Sequence, residues 1–221
     1  MLKVKVKICG ITNWPDARAA AAAGADFLGF NFFKGSPRYI APEKAQAIIR
    51  KLPKEVAAVG VFVNEDEKHL QEIATRAGLN CVQLHGEESP AAVARIAKAW
   101  PVIKAVRING SFRRVQLARF EKASALLLDG FDGQKRGGTG KTFDWEVART
   151  AKSFGQIFLA GGLTPENVAE AIHAAHPYAV DVCSGVERKP GKKDAAKVKA
   201  LMRAVRSSFK SAKARKAGRA A

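Results

Sequence analysis

The sequence predicts an α/β fold, a single (β/α)8 TIM barrel with a parallel eight-stranded core and outer helices. Three observations predict it. Eight short apolar runs alternate with eight segments of helical period. Only short loops connect them, and no linker-like stretch divides the 221 residues. Polar or glycine residues follow strands along the whole chain, as in barrels whose active sites draw on many strand ends.

The predicted strands are runs of β-branched and other apolar residues, which favour extended structure. In chain order they cover residues 4–9, 26–30, 56–63, 81–84, 102–106, 125–129, 156–160 and 179–183. The predicted helices are rich in alanine, lysine, arginine and glutamate, which favour helices. They cover residues 15–23, 42–52, 65–77, 90–99, 112–122, 145–153, 165–175 and 195–209.

Start signals support two of these helices. Thr164, Pro165 and Glu166 supply an N-cap oxygen, a proline at the first helical position and an acid in the first turn. Ser89 and Pro90 repeat the first two signals. We therefore expect helices to begin at Pro90 and Pro165.

An open doubly wound sheet is the alternative fold, because it also alternates strands with helices. Two observations disfavour it. No Gly-x-Gly-x-x-Gly motif follows the first strand, and strand-ending polar residues are spread along the chain. An open sheet would concentrate them at one crevice.

The composition indicates one soluble domain. With 47% hydrophobic residues, the chain has enough apolar side chains for one large core. We expect the barrel over 1–209 and a basic, flexible tail over 210–221. No run of about 18 uncharged apolar residues occurs, so neither a membrane span nor a signal peptide is expected. Cys9, Cys81 and Cys183 form neither a disulfide framework nor a zinc pattern, which fits a reducing cytoplasm.

The net charge of +18 raises the question of a nucleic-acid partner. Residues 203–221 hold seven basic residues and no acid, and the remaining charge is spread thinly. The sequence contains no basic patch interleaved with aromatic residues, no zinc-finger spacing and no helix-turn-helix signature. We therefore expect a solvated basic tail and no specific nucleic-acid binding.

Glycine-rich segments follow the last two predicted strands. Gly161 and Gly162 follow the seventh strand, and Ser184 and Gly185 follow the eighth. Glycines let backbone N–H groups approach an anion closely, and in barrels this pair of loops is where phosphates bind. The alternative is that these glycines only satisfy tight turns. Together, the two loops favour a phosphate-binding site.

Seven motifs, in order, carry a resemblance to a known family. They are KICGIT at 7–12, SPRYI at 36–40, VGVFVN at 59–64, QLHG at 83–86, GGTGKTFDW at 137–145, LAGGL at 159–163 and VDVCSGVE at 180–187. With them the chain resembles the phosphoribosylanthranilate isomerases of tryptophan biosynthesis. Only the segment beyond about Phe209 falls outside the resemblance.

The resemblance implies an Amadori rearrangement of a small phosphosugar without a metal or other cofactor. A general acid opens the furanose ring and a general base removes the C2 proton. By carry-over, the acid is Asp129 and the base is Cys9. Arg38 would bind the anthranilate carboxylate, since a planar bidentate donor suits that group. Lys141 and Asp144 would be loop and helix-start residues.

Two further residues are expected to contact the substrate. His85 ends the fourth predicted strand and Asp181 lies near the end of the eighth, so both can face the site. His85 can equally be a structural hydrogen-bonding group.

We expect no membrane partner, and we expect the protein to be a monomer or a homodimer.

The residues themselves make the acid and base assignments chemically reasonable. Asp129 follows the apolar run 125–128, and a carboxyl held against apolar walls is pushed toward its protonated form. Cys9 needs the opposite effect, because its thiol must be drawn toward the thiolate. Lys7 lies two residues earlier on the same side of the strand, and we hypothesise that it supplies the positive charge.

Cys183 is a departure from the family pattern, in which a serine is expected at this position. Alternation places Cys183 on the same side of its strand as Asp181, and barrel closure makes that strand the neighbour of the one ending at Cys9. We expect that oxidation couples Cys9 to Cys183.

Other functions remain open at this point. Indole-glycerol-phosphate synthase and the aminoaldose isomerase of histidine synthesis are related phosphosugar barrels. The first needs a lysine acid and the second resembles a site with two aspartates, so Cys9 argues against both. A catalytically silent barrel that binds polyanions through its basic surface is the alternative of a different class.

The C-terminal segment generates the first prediction. Leu201, Val205 and Phe209 recur every four residues and would pack the last helix onto the barrel. Removing residues 210–221 should therefore leave isomerase turnover unchanged. Turnover of the truncated and full-length proteins, measured side by side, checks this, and a loss of activity on truncation would contradict it.

Overall fold

The fold is a closed eight-stranded parallel barrel. A computed structural model describes residues 4–109, 111–130 and 145–217, with the backbone alone for 209–217. The barrel strands are β1 Lys5–Ile8, β2 Phe27–Asn31, β3 Ala57–Phe62, β4 Cys81–Leu84, β5 Val102–Arg107, β6 Ala125–Asp129, β7 Ile157–Ala160 and β8 Ala179–Val182. Each strand pairs with the next, and β8 pairs with β1. The predicted fold class is confirmed, and the open-sheet alternative is wrong.

Helices connect the strands on the outside. They are α1 Trp14–Ala23, α2 Pro42–Ile49, α3 Glu67–Ala77, α4 Pro90–Ile96, α5 Trp145–Ala151, α6 Val168–Ala175 and α7 Ala195–Ala217. Short 3-10 segments occur at Arg114–Phe120, Lys152–Phe154 and Ser184–Val186. In the part of the chain that the structure covers, no helix is long and apolar enough to cross a membrane.

Of the two helix starts predicted at Pro90 and Pro165, the structure has the first. Ser89 caps α4 through a hydrogen bond from the backbone N–H of Ala92, as expected. Helix α6 begins at Val168, three residues after Pro165. The Asn167 side chain accepts from the Thr164 N–H and donates to the Gly162 carbonyl, so a separate turn precedes the helix.

Three other segments differ from prediction. The helix expected at 112–122 is the 3-10 segment Arg114–Phe120, in which Leu117 is the one residue that is fully buried. Such a segment has no apolar stripe with which an α-helix would pack. A short antiparallel hairpin, β9 Glu187–Lys189 and β10 Lys192–Lys193, follows β8 and was not predicted. Helix α7 continues to Ala217, beyond the expected end at residue 209.

Alternation along the strands produces two apolar layers. One cluster packs between the strands and the helices and includes Leu28, Phe30, Leu126 and Leu128. The alternate strand residues point into the barrel and form a second cluster: Val59, Cys81, Ile103, Ala105, Ala125, Leu127, Phe158, Ala160 and Ala179. Phe27 and Tyr178 pack against this inner cluster. The layer above it, at the ends of the strands, is polar.

The inner cluster generates a stability prediction. Leu127 is fully buried, so Leu127→Ala leaves a cavity that the surrounding strands cannot close. We expect the free energy of unfolding to fall by about 2–5 kcal/mol. Val115→Ala is the matched control, because Val115 is 73% exposed. Urea denaturation of both variants checks the prediction, and equal midpoints for the two would contradict it.

Candidate active site

The predicted site residues gather at one end of the barrel, where the parallel strands finish. We call this end the mouth. Cys9 directly follows β1, His85 directly follows β4, Asp129 ends β6 and Asp181 lies in β8. By the alternation of each strand these four side chains point to the inner face. The chain thus places a thiol, an imidazole and two carboxylates around one opening.

A buried ion pair lies beneath this opening. Lys7 Nζ is 3.0 Å from each carboxylate oxygen of Asp181, and the Lys7 side chain has no exposed surface. The two residues face each other directly in the register of β1 and β8. Burial by itself lowers the pKa of Lys7, but Asp181 and Cys9 raise it above its ordinary value. Burial raises the pKa of Asp181 to about 6, so the pair is ionised at neutral pH.

Cys9 occupies a position that favours its thiolate. A hydrogen bond with Cys183, and the charges of Lys7 and Lys193, lower the pKa of Cys9 well below its ordinary value against the effect of burial. The Cys183 thiol shows the opposite direction, because its hydrogen bond with Cys9 and its burial raise its pKa. Of the two thiols, Cys9 is therefore the one whose surroundings favour the thiolate.

Two glycines, Gly10 and Gly29, allow close packing around the sulfur of Cys9. A Cβ on Gly29 would lie 2.7 Å from the sulfur of Cys9. Gly10 has a φ of +77°, and a Cβ there would lie 2.7 Å from Arg38 Cδ and 3.1 Å from Cys183 Sγ. Both positions therefore require glycine, and the KICGIT motif owes its glycine to this crowding.

Arg38 enters the site from the loop between β2 and α2. Its Nε and Nη2 donate to the carboxylate of Glu187 at 3.0 and 2.7 Å. The Glu187 side chain is 4% exposed and also accepts from Lys193 Nζ at 2.9 Å. Burial by itself raises the pKa of Glu187, but Arg38 and Lys193 hold it below its ordinary range. The two cations therefore keep Glu187 as a buried carboxylate.

The other side of the mouth holds a chain of polar side chains. Gln83 Nε2 lies 2.8 Å from His85 Nδ1, and His85 Nε2 lies 3.3 Å from Asp129 Oδ2. An amide NH2 can only donate, so Nδ1 accepts and the ring proton of a neutral His85 lies on Nε2. That proton points to the carboxyl of Asp129. Both His85 and Asp129 are about one quarter exposed, so the mouth is open to them.

The glycine-rich loops after β7 and β8 pack against each other. Gly161 and Gly162 have φ values of +90° and +64°, a conformation that favours glycine. A Cβ on Gly185 would lie 2.0 Å from the carbonyl oxygen of Leu163. Ser184 opens the 3-10 segment beside this contact. The four residues predicted to bind phosphate thus form one contiguous, backbone-lined region.

Most predicted site residues lie together, and three contributors were missed. Lys141 and Asp144 lie outside the described residues. The sequence motifs did not predict a role for Gln83, Glu187 or Lys193. Gln83 has a usable signal, since it lies two residues before His85 on the same strand face. Glu187 and Lys193 lie in the hairpin that follows β8. The alternation of residues along a strand does not predict this hairpin.

The chain is similar to known proteins along most of its length. A family model described as N-(5'-phosphoribosyl)anthranilate (PRA) isomerase matches residues 6–204. The chain belongs to this family. It is 52% identical over 198 residues to the N-(5'-phosphoribosyl)anthranilate isomerase of Citrifermentans bemidjiense, a match that covers 90% of this chain and 95% of that protein.

Two solved structures extend the likeness to the fold. One is a phosphoribosylanthranilate isomerase in complex with reduced 1-(o-carboxyphenylamino)-1-deoxyribulose 5-phosphate, with a TM-score of 0.83, 41% identity and coverage of 92% of this chain and 99% of that chain. The other contains monomers generated from the dimeric enzyme of Thermotoga maritima, with a TM-score of 0.80, 41% identity and the same coverage. Membership of the phosphoribosylanthranilate isomerase family selects among the phosphosugar barrels that the sequence left open.

The paired thiols generate a redox prediction. Cys9 and Cys183 extend the register of β1 and β8, and neighbouring strands lie about 4.8 Å apart, within the Cα separation of a disulfide. Diamide, which takes up the two thiol hydrogens, should couple them and abolish turnover, and dithiothreitol should restore it. Cys183→Ser should keep its activity in diamide. Unchanged wild-type activity with no bridged peptide by mass spectrometry would contradict the prediction.

Proposed function

We propose that Cys9 is the general base and Asp129 the general acid with which this chain isomerises N-(5'-phosphoribosyl)anthranilate. The supporting observation is the arrangement across the mouth. A thiol beside buried cations lies at the end of β1, and a carboxyl in contact with an imidazole lies at the end of β6. The two groups therefore approach a substrate between them from different sides.

In this proposal the reaction proceeds by two proton transfers. Asp129 donates its proton to the furanose ring oxygen as the C1–O bond breaks, and the anthranilate nitrogen forms a Schiff base with C1. The Cys9 thiolate then removes the proton from C2, which converts the Schiff base to an enolamine. Tautomerisation of the enolamine yields the aminoketose phosphate. No atom is gained or lost, as an isomerisation requires.

Arg38 is proposed to bind the carboxylate of the anthranilate ring. Glu187 accepts from Nε and Nη2 of its guanidinium. A guanidinium has five N–H groups, so Nη1 and the second N–H of Nη2 remain for another carboxylate. The side chain is about one quarter exposed, which leaves this edge accessible from the mouth. Arg38 can thus bind a carboxylate of the protein and one of the substrate together.

The remaining contacts are proposed from position. The loops with Gly161, Gly162, Ser184 and Gly185 would bind the substrate phosphate through backbone N–H groups and the serine hydroxyl. His85 and Asp181 would contact the sugar. Asp181 is 9% exposed, so it presents only a small part of its carboxylate to the mouth.

The proposal includes the setting in which the enzyme works. Its substrate is a small molecule, and its residues suffice for the two proton transfers without a cofactor. We propose that it acts as a monomer or homodimer in the cytoplasm. The dimeric enzyme of Thermotoga maritima supports the homodimer as one of these two states.

The decisive experiment follows the decay of phosphoribosylanthranilate fluorescence with the substrate generated in situ. Cys9→Ala removes the base and Asp129→Asn the acid, so each should lower kcat by roughly 100-fold or more. Cys81→Ala is the matched control, because Cys81 lies in the apolar barrel interior. Wild-type decay no faster than spontaneous loss would contradict the activity, and full activity in Cys9→Ala would contradict the role of that residue.

A further inference from the structure

The hairpin after β8 carries two buried charges that the proton transfers do not use. Glu187 is 4% exposed and Lys193 is 1% exposed at the side chain. Besides Glu187, Lys193 Nζ bonds the carbonyl oxygen of Cys183 at 3.2 Å and lies 3.8 Å from its sulfur. Removing two ionic groups from water costs several kcal/mol unless they are well paired. A buried pair at this position therefore requires a reason beyond stability.

The hairpin is fastened to the loops around the mouth. The Gly191 N–H donates to Glu187 Oε1 at 3.1 Å, and the Gly191 carbonyl accepts from Thr12 Oγ1 at 2.5 Å. The Lys193 N–H donates to Asp16 Oδ2 at 2.9 Å. The loop after β1, the loop after β2 and the end of β8 are thus joined through one hairpin, which holds Lys193 and Glu187 in place.

The charges around Cys9 and Cys183 balance when one of the two sulfur atoms is ionised. Its charged and titratable neighbours come from β1, the β2–α2 loop, β8 and the hairpin: Lys7, Arg38, Asp181, Cys183, Glu187 and Lys193. From β2 the neighbour is Gly29, which has no side chain. Three of these groups are cations and two are carboxylates, so the thiolate supplies the third negative charge. The pair of His85 and Asp129 lies across the mouth.

We propose that Lys193 and Glu187 are positioning residues of the isomerisation: Lys193 stabilises the thiolate of Cys9, and Glu187 fixes the guanidinium of Arg38 for the substrate carboxylate. The proposal rests on the roles proposed above for Cys9 and Arg38. Lys7 supplies one cation beside Cys9, and Lys193 supplies the second. Its charge acts in the direction that lowers the pKa of Cys9.

Glu187 acts on Arg38. Its two oxygens hold Nε and Nη2 of Arg38 in one plane, which sets the direction of the remaining N–H groups. Without Glu187 the long side chain would have to be ordered by the substrate itself. The expected cost is weaker substrate binding, and the proton transfers are left intact.

The two roles predict effects of opposite kind. In Lys193→Gln an amide replaces the cation, so the pH midpoint for alkylation of Cys9 by iodoacetamide should rise by about one unit or more. The acid limb of kcat/KM should move up by the same amount. In Glu187→Gln the midpoint should not rise, and KM should increase roughly tenfold with kcat nearly unchanged. Lys193→Arg, which keeps the charge, should restore the midpoint.

The alkylation is followed at each cysteine by peptide mass spectrometry. Cys81 lies in the apolar barrel interior, and burial raises its pKa to about 11, so alkylation of its peptide near neutral pH would report unfolding. Lys192→Met is the matched control, since Lys192 precedes Lys193 in β10 and is only partly buried. Thermal unfolding of each variant shows whether it is folded. If Lys193→Gln does not fold, Glu187→Gln tests the proposal by itself.

An alkylation midpoint for folded Lys193→Gln within about 0.3 units of the wild type, roughly one third of the expected shift, would overturn the role of Lys193. An unchanged KM in Glu187→Gln would overturn the role of Glu187, and midpoints that rise in both variants would show a merely structural hairpin. These outcomes are separate from failure of the proposed function, which shows as full activity in Cys9→Ala whatever the hairpin variants do.

Discussion

The ion pair between Lys7 and Asp181 is the interaction on which both barrel and site depend. It joins β1 to β8, the seam at which the sheet closes, and both side chains are almost completely buried. Loss of one partner would leave an uncompensated charge in the interior, which costs about 3–5 kcal/mol in other proteins. The same pair lies directly beneath Cys9, so barrel closure and the positive charge beside this thiol are set at one place.

The pair divides the mouth into two electrostatically different sides. On the β8–β1 side, cations from the first strand, the hairpin and the β2–α2 loop surround a thiol and two carboxylates. On the β4–β6 side, the imidazole of His85 lies 2.8 Å from Gln83 Nε2 and 3.3 Å from Asp129 Oδ2. The cations of the first side favour the thiolate of Cys9.

Close backbone packing makes this division possible. Gly10 and Gly29 let the Arg38 stem and the two sulfur atoms share a space that any Cβ would fill. Gly185 does the same where the last two loops meet. The inner apolar cluster supports the polar layer from below, so the charged side chains rest on a rigid floor. Stability thus comes from the lower barrel and the outer layer, and the chemistry occupies the upper layer.

The sequence by itself determined the barrel and the strand-end positions of the candidate site residues, because strand alternation and helical period are local properties. The strands at 81–84 and 125–129 have the predicted bounds. Each of the other strands differs from its predicted bounds by one residue, at one end or at both ends. Cys9, His85 and Asp129 could be placed at strand ends for the same reason. Only the tertiary structure decided that 114–120 is a 3-10 segment, that α6 begins at Val168, and that Arg38 meets Glu187 across 149 positions. These outcomes depend on contacts between distant segments, and no local pattern carries information about which distant charge will be buried beside which.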